Sequence, residues 1–301
     1  MANKVIRHLR DEQREFQKQL STLSESKASW QKWSDFIELS AIAISNACDH
    51  ESKDRESREA RYMKIINSYP KKDQAIFPKL LAITATALES NPDQDFLGEM
   101  FMLQNFGDHW RGQFFTPYNV SRMMAEIQTP DAQETLDKRG WVGIHDCCCG
   151  AGSLLIAARN VFTRKKVGYR QALFVAQDID YIVGLMCYIQ LSLLGCAGYV
   201  VIADAFRYPL ASHNGSPLLP HFRPEQDVWF TPMFYDEVWQ MRIKWEYMTM
   251  LLQDSGGAKK MPSKDENAAC AACAADQSAV AAILPPVMPY VEDKRGQLKL
   301  F

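Results

Sequence analysis

The sequence predicts an α/β fold: a doubly wound, mostly parallel sheet preceded by a helical N-terminal segment. Three observations carry this reading. Between about residues 140 and 235, short apolar runs alternate with helical ones, the pattern of strands joined by crossover helices. Before residue 105, apolar residues recur at near-helical spacing among charges. Across the 301 residues, 47% are hydrophobic and 23% charged, enough apolar side chain to bury a core.

Taken in order, Val5, Leu9, Phe16 and Leu20, then Trp30, Trp33, Phe36, Ile37 and Ile44, mark the N-terminal helices, with breaks at Pro70 and Pro78 and a new helix after Asn91-Pro92-Asp93. Trp141-Val142-Gly143-Ile144-His145 reads as a first strand and Ser153 to Phe162 as a helix. Leu173 to Ala176 reads as a second strand, Tyr181 to Leu194 as a helix, Tyr199 to Ala203 as a third strand and Asp227 to Phe230 as a fourth. Phe234 to Gln253 is a last amphipathic helix. Residues 254–296, rich in Gly, Ala, Lys, Ser and Pro, read as a tether. The expected organisation is 1–105 helical, 106–253 the α/β domain, 254–296 the tether and 297–301 a terminal peptide.

Charge and composition exclude several classes. A net charge of −2 rules out a generally basic nucleic-acid-coating protein, so any such contact uses a local patch. The charged start argues against a secretory signal. Ile182 to Ala203 is uncharged and long enough to span a bilayer, but Gly195, Gly198, Gln190 and Ser192 interrupt it; a buried helix, a turn and a buried strand are expected, and no membrane. Three of the eight cysteines are consecutive, at 147–149, a poor disulfide framework, which points to reduced thiols and a cytoplasmic protein. Cys270 and Cys273 lack a second ligand pair, so no metal is expected.

Parallel α/β sheets bind ligands at the carboxyl ends of their strands, and the candidate motifs lie there. Asp146-Cys147-Cys148-Cys149-Gly150-Ala151-Gly152-Ser153 follows the first strand. Its glycines let backbone approach a ligand, and the next helix points free N–H groups at it; an ordinary tight turn accommodates the same residues. In Gln177-Asp178-Ile179-Asp180, a carboxylate can accept from both ribose hydroxyls, while a residue just before Tyr181 fits a helix N-cap. The ribose role falls to Asp178 and the cap to Asp180. Asp204-Ala205-Phe206 closes the third strand with a carboxylate that can accept from an adenine amino group and a ring that can flank the base, or it is a solvated loop.

Gly112-Gln113-Phe114-Phe115-Thr116-Pro117, Asp146-x-x-Cys149-Gly150-Ala151-Gly152, Gln177-Asp178 and Asp204-Ala205-Phe206, in that order, resemble the N6-adenine DNA methyltransferases, specifically the modification subunits of type I restriction systems. The resemblance covers roughly residues 95–235 and extends to the helical N-terminus. It implies a Rossmann-like methyltransferase sheet and S-adenosylmethionine as cofactor. Gln113, Phe115 and Thr116 would line its methionine end. Asp146, Gly150 and Gly152 would cradle its centre, Asp178 would hold its ribose, and Asp204 with Phe206 its adenine. Cys147 stands where the family usually has proline.

After the fourth strand the family carries Asn-Pro-Pro-Tyr or Asn-Pro-Pro-Phe; this chain has Thr231-Pro232-Met233-Phe234. The adenine amino nitrogen is a poor nucleophile until acceptors hold its two N–H bonds, and the final aromatic stacks on the flipped base. By resemblance Thr231, Pro232 and Phe234 are the catalytic residues. Phe234 keeps the stacking surface, and Thr231 offers a shorter arm; loss of a preorganised hydrogen-bonding group costs about 10²–10³-fold in rate. The chain also looks shortened, with one helix after Phe234 and Ala279 to Leu284 as the sole further strand candidate, so sequence specificity would come from a separate subunit. Arg164, Lys165, Lys166 and Arg170, or Arg111, are candidates for DNA phosphates, against a solvated loop.

The terminal Gln297-Leu298-Lys299-Leu300-Phe301 resembles the bacterial sliding-clamp-binding peptide: Leu300 and Phe301 would fill a pocket while Gln297 fixes register, and Leu298 would join them at the partner. The expected function is therefore S-adenosylmethionine-dependent DNA adenine-N6 methylation at reduced rate, in a bacterial or mobile-element restriction-modification setting. The alternative is a catalytically silent, DNA-associated relative tethered to the clamp.

Overall fold

The computed structural model describes residues 9–24, 27–50, 52–104, 115–129, 132–256, 291–292 and 298–299. Six helices come first: α1 (Asp11–Thr22), α2 (Ser29–Cys48), α3 (Arg55–Ile66), α4 (Lys71–Gln74), α5 (Ile76–Ser90) and α6 (Phe96–Gln104). Next come α7 (Tyr118–Gln128), α8 (Ala132–Arg139), β1 (Val142–Asp146), α9 (Ser153–Arg164), β2 (Ala172–Asp178), α10 (Tyr181–Leu193) and β3 (Ala197–Ile202). A short hairpin of β4 (Ala211–Ser212) and β5 (Pro220–His221) precedes β6 (Asp227–Phe230), a 3-10 turn over Pro232–Tyr235 and α11 (Glu237–Gly256). Near the end β7 (Val291–Glu292) pairs antiparallel with β8 (Leu298–Lys299).

The architecture is mixed α/β around a four-stranded sheet in the order β1-β2-β3-β6. The pairs β1–β2 and β2–β3 are parallel, Ile144 aligning with Phe174 and Val175 with Tyr199. Both strand–helix–strand units expected from the alternation are present. The uncharged run 182–203 is a buried helix, a turn and a buried strand, and no helix among the described residues is long and apolar enough to cross a membrane.

Strand β6 corrects the expected sheet. It pairs antiparallel with β3, Tyr199 opposite Phe230 and Ile202 opposite Asp227. A parallel return needs a crossover of a dozen or more residues, usually a helix. Residues 207–226 carry Pro209, Asn214, Gly215, Pro217, Pro220 and Pro224 and form the hairpin instead. The chain therefore comes back alongside β3 in the opposite sense.

The two faces of the sheet belong to separate apolar clusters, because successive strand residues point to opposite sides. Phe174, Ala176, Val200 and Ile202 face α9, α10 and the N-terminal helices, in one continuous core that runs to Phe16, Trp33 and Phe36. Leu173, Val175, Tyr199 and Val201 face Trp239 and Ile243 of α11. The boundary at 105/106 thus does not divide the apolar core.

A rim of loops at the carboxyl ends of the parallel strands

The loop after β1 is shaped by two glycines with left-handed backbone, Gly150 at φ +56° and Gly152 at φ +95°. A Cβ on Gly152 would stand 2.9 Å from the Cys187 sulfur, so only glycine lets the loop lie on α10. A Cβ on Gly150 would reach 3.4 Å from Phe115, which places the Phe-Thr-Pro segment directly against this loop. Phe115 in turn packs on Phe101, with ring centroids 5.1 Å apart.

Asp178 ties the loop to the end of β2. One carboxylate oxygen accepts from the Gly150 N–H at 2.8 Å and the other from the Asp180 N–H at 3.0 Å. Asp180 accepts from Val183 N–H at 3.0 Å, the N-cap of α10. Cys148 N–H donates to Asp146 at 3.1 Å, and burial pushes the Asp146 carboxyl above its ordinary value. Behind the loop, a hydrogen bond with Cys187 and burial push the Cys149 thiol well up, so it is a neutral packing group. The six described cysteines, Cys48, Cys147, Cys148, Cys149, Cys187 and Cys196, are all free thiols.

The third loop joins the same rim, since Ala203 N–H donates to the Asp178 carbonyl at 2.9 Å. Asp204 accepts from the backbone N–H groups of Phe206 and Arg207 at 2.9 and 3.2 Å. The Phe206 ring stands 96% exposed, both faces clear of the protein. Phe115, Asp146, Gly150, Gly152, Asp178 and Asp204 are therefore brought to one end of the sheet, with Thr116 exposed next to Phe115. Gln113 and Arg111 lie outside the described residues. So do Cys270, Cys273, residues 279–284, Gln297, Leu300 and Phe301; Leu298 is in β8. Three carboxylates, free loop backbone and an open aromatic ring form a rim suited to a polar ligand that carries a ring.

Thr231, Pro232 and Phe234 are not at this rim, and their expected catalytic placement is corrected. Because β6 is antiparallel, its last residues sit beside the amino end of β3. The Thr231 hydroxyl donates to the Cys196 carbonyl at 2.7 Å and accepts from Gly198 N–H at 3.0 Å, and the residue is fully buried. Six residues of strand separate Gly198 from Asp204, about 20 Å. Phe234 is 4% exposed and stacks on Phe230 at 4.9 Å between centroids, with Tyr199 edge-on at 6.0 Å. Its faces are occupied by the core rather than offered to a base. Pro232 opens the 3-10 turn that leads to α11.

Most of the basic cluster is also committed elsewhere: Arg164 pairs with Glu126 at 2.7 Å, Arg170 with Asp236 at 2.9 Å, and Lys165 donates to the Thr129 carbonyl.

Two residues without an expected role organise the rim. Gln177, 1% exposed, donates to the carbonyls of Ala203 and Tyr208 and holds the third loop. Gln190 donates to the Ala151 carbonyl and to Asp95, both at 2.8 Å, and accepts from Leu97 N–H at 3.0 Å, joining the glycine loop to α6. A glutamine in an otherwise apolar helix was the available signal. Among the described residues no group of three or more His, Cys, Asp or Glu is placed to hold a metal.

A mostly parallel α/β sheet with a glycine loop after its first strand and acidic residues after the next two is the arrangement in which open α/β folds place a ligand site, at the carboxyl ends of the strands. The profile of the family described as N-6 DNA Methylase matches residues 92–243, half of the chain, and the protein belongs to that family. Among solved structures it is similar to the type I restriction-modification system methyltransferase subunit from Streptococcus thermophilus, at 21% identity and a TM-score of 0.35, over 51% of this chain and 32% of that one. The chain thus spans about a third of that subunit. No curated protein matches it.

Proposed function

We propose that this chain is the cofactor-binding part of an S-adenosylmethionine-dependent adenine-N6 DNA methyltransferase and does not by itself methylate adenine. The single observation behind this is the rim: Phe115, Gly150, Asp146, Asp178 and Asp204 converge, while the segment expected to activate adenine is buried about 20 Å away along β3. The donor set suits the cofactor. The Asp178 oxygens keep lone pairs beyond their two backbone bonds for ribose hydroxyls, Asp204 accepts from an amino group, Phe206 offers a ring face, and Phe115 with Thr116 flanks the methionine end. S-adenosylmethionine, when bound, supplies an electrophilic methyl on a sulfonium; the nearby carboxylates favour that positive charge.

In this reading the sheet is one winding of a doubly wound methyltransferase fold preceded by a helical domain. DNA and a separate specificity subunit are its partners, and the cytoplasm, where thiols stay reduced, is its compartment. The terminal Gln297-Leu298-Lys299-Leu300-Phe301 is proposed to dock on a sliding clamp, a reading carried by its residues alone.

Equilibrium titration with labelled S-adenosylmethionine tests the core of this. Wild type should bind, and Asp178→Ala should bind at least about tenfold more weakly, a loss of roughly 1.4 kcal/mol; no binding by wild type removes the proposal. In the same cuvette with unmethylated DNA, N6-methyladenine formed by the chain alone would restore the catalytic reading. For the tail, deleting Leu300 and Phe301 should abolish binding to immobilised clamp, and undiminished binding would discard the peptide.

A further inference from the structure

Away from the rim, the N-terminal helices enclose a polar cleft of about 430 Å³. Helix α1 lines it with Arg14, Gln17, Lys18 and Ser21, whose spacing of three and four residues puts them on one face. The first turn of α2 adds Ser29 and Lys32, and the end of α6 adds Gln104. Leu20 is the sole apolar side chain among the described lining residues, and none of them is acidic. Three cations therefore border the cleft with no carboxylate among these residues to neutralise them.

The bonds these groups already make leave them free to serve a ligand. Arg14 pairs with Asp11, and Lys18 with Glu15 at 3.7 Å, each three residues away along α1. Asp11 is 84% exposed and Lys18 72%, and surface pairs of this kind contribute little and yield readily. Lys32 Nζ donates to the Leu23 carbonyl at 3.0 Å, which uses one of its three N–H bonds. Ser29 opens α2, whose first turn carries no acidic residue and no side-chain cap, so the Ser29 N–H has no partner within the helix. The Gln104 amide nitrogen is buried with no hydrogen-bond partner at all. A buried donor left unpaired is costly, and an acceptor oxygen brought into the cleft removes that cost.

We propose that this cleft binds a free polyphosphate anion, of the pyrophosphate class, through its phosphate oxygens. Three cations and several N–H donors, with no acceptor carboxylate among the lining residues, match an oxyanion that carries more than one negative charge. The volume is that of a small-molecule site. A compact anion can enter far enough to meet the Gln104 amide, whereas the phosphates of a DNA duplex stand on a rigid rod wider than the cleft. Leu20 alone offers apolar surface, so the site reads phosphate and not a base. None of the rim residues is among the described lining of the cleft, and the proposal stands apart from the cofactor reading.

The test is calorimetric titration of the full chain with inorganic pyrophosphate, with sulfate at matched ionic strength as the comparison anion. Wild type should bind pyrophosphate, more weakly as salt is raised, and bind sulfate at least about tenfold less tightly. The double variant Arg14→Gln, Lys18→Gln, both side chains being half or more exposed, should keep its far-UV spectrum and lose at least about tenfold in pyrophosphate affinity. Gln104→Leu removes the buried donor; it should weaken pyrophosphate binding without lowering the thermal midpoint of the ligand-free chain. No binding by wild type, equal affinity for sulfate, or unchanged affinity in either variant would each overturn the proposal. A short DNA duplex whose binding falls as far as that of pyrophosphate in the double variant would make the cleft a nucleic-acid contact and overturn it too. Titration with S-adenosylmethionine is read separately, so a chain that binds pyrophosphate and no cofactor fails only the functional reading.

Discussion

Thr231 shows how one side chain decides what a segment can do. Its hydroxyl is bonded to Cys196 and Gly198 in a fully buried site. Asparagine there keeps the volume but puts a longer, planar side chain and a second polar group into a packed place. A misfitting shape in a packed core costs about 1–3 kcal/mol and an unsatisfied buried polar group a similar amount. Thr231→Asn should therefore lower stability by about 2–4 kcal/mol in urea denaturation and create no methyl transfer; an unchanged midpoint would sink this assignment. The positions of the rim residues were legible because their signals are local: a glycine pair after a strand, a carboxylate at the next strand end, and an N-cap at Asp180 that the structure contains. Thr231 was not legible, since its place depends on whether β6 returns parallel or antiparallel. The proline-rich stretch 207–226 was the clue that no crossover helix intervenes.

At the scale of elements, the glycine loop is held from behind by a buried polar junction. Gln190 on α10 bridges Ala151 and Asp95, and Gly98 N–H donates to Asp95 at 2.9 Å. Burial pushes the Asp95 carboxyl up to about 6, against its ordinary 3.8. Between those two values the folded chain holds a proton that the unfolded chain has released. Stability from this group is therefore greatest near pH 4 and falls as pH rises through 6. The span amounts to about 3 kcal/mol. Asp95→Asn, which cannot ionise, should flatten that part of the profile, measured as wild-type minus variant unfolding free energy at about pH 3 and about pH 7, roughly one unit outside each end of the window. A difference independent of pH would show that Asp95 does not carry it. The alternation of helices and strands announced α9, β2, α10 and β3 closely. The junction left only an ambiguous signal, because a lone glutamine in an apolar run fits a turn, a cap or a core hub equally until its partners are known.

For the whole molecule, the question is whether the N-terminal helices are a domain apart or part of one folding unit. Composition suggested a break near residue 105, but apolar contact runs without interruption from Phe16 and Trp33 to α10 and Trp229. Arg58 is the polar counterpart of that continuity. It is 7% exposed, its guanidinium lies 3.7 Å from the centroid of the Trp229 ring, and it donates to Ser45 at 2.9 Å as well as to Val228. Asp227 is 40% exposed, so solvent screens that ion pair, and the guanidinium's bonds to Ser45 and Val228 and its ring contact dominate. Arg58→Ala leaves the Val228 carbonyl without its donor and a gap over Trp229, a loss of about 2–4 kcal/mol. If helices and sheet fold as one unit, that loss moves every probe together. Far-UV ellipticity, dominated by helix, and tryptophan fluorescence, which reports Trp229 in the sheet and Trp239 packed on it as well as Trp33, should shift to the same lower midpoint. A variant whose fluorescence transition separates from an unmoved helical transition would make the N-terminal helices a domain of their own and Arg58 a mere surface clasp between two bodies.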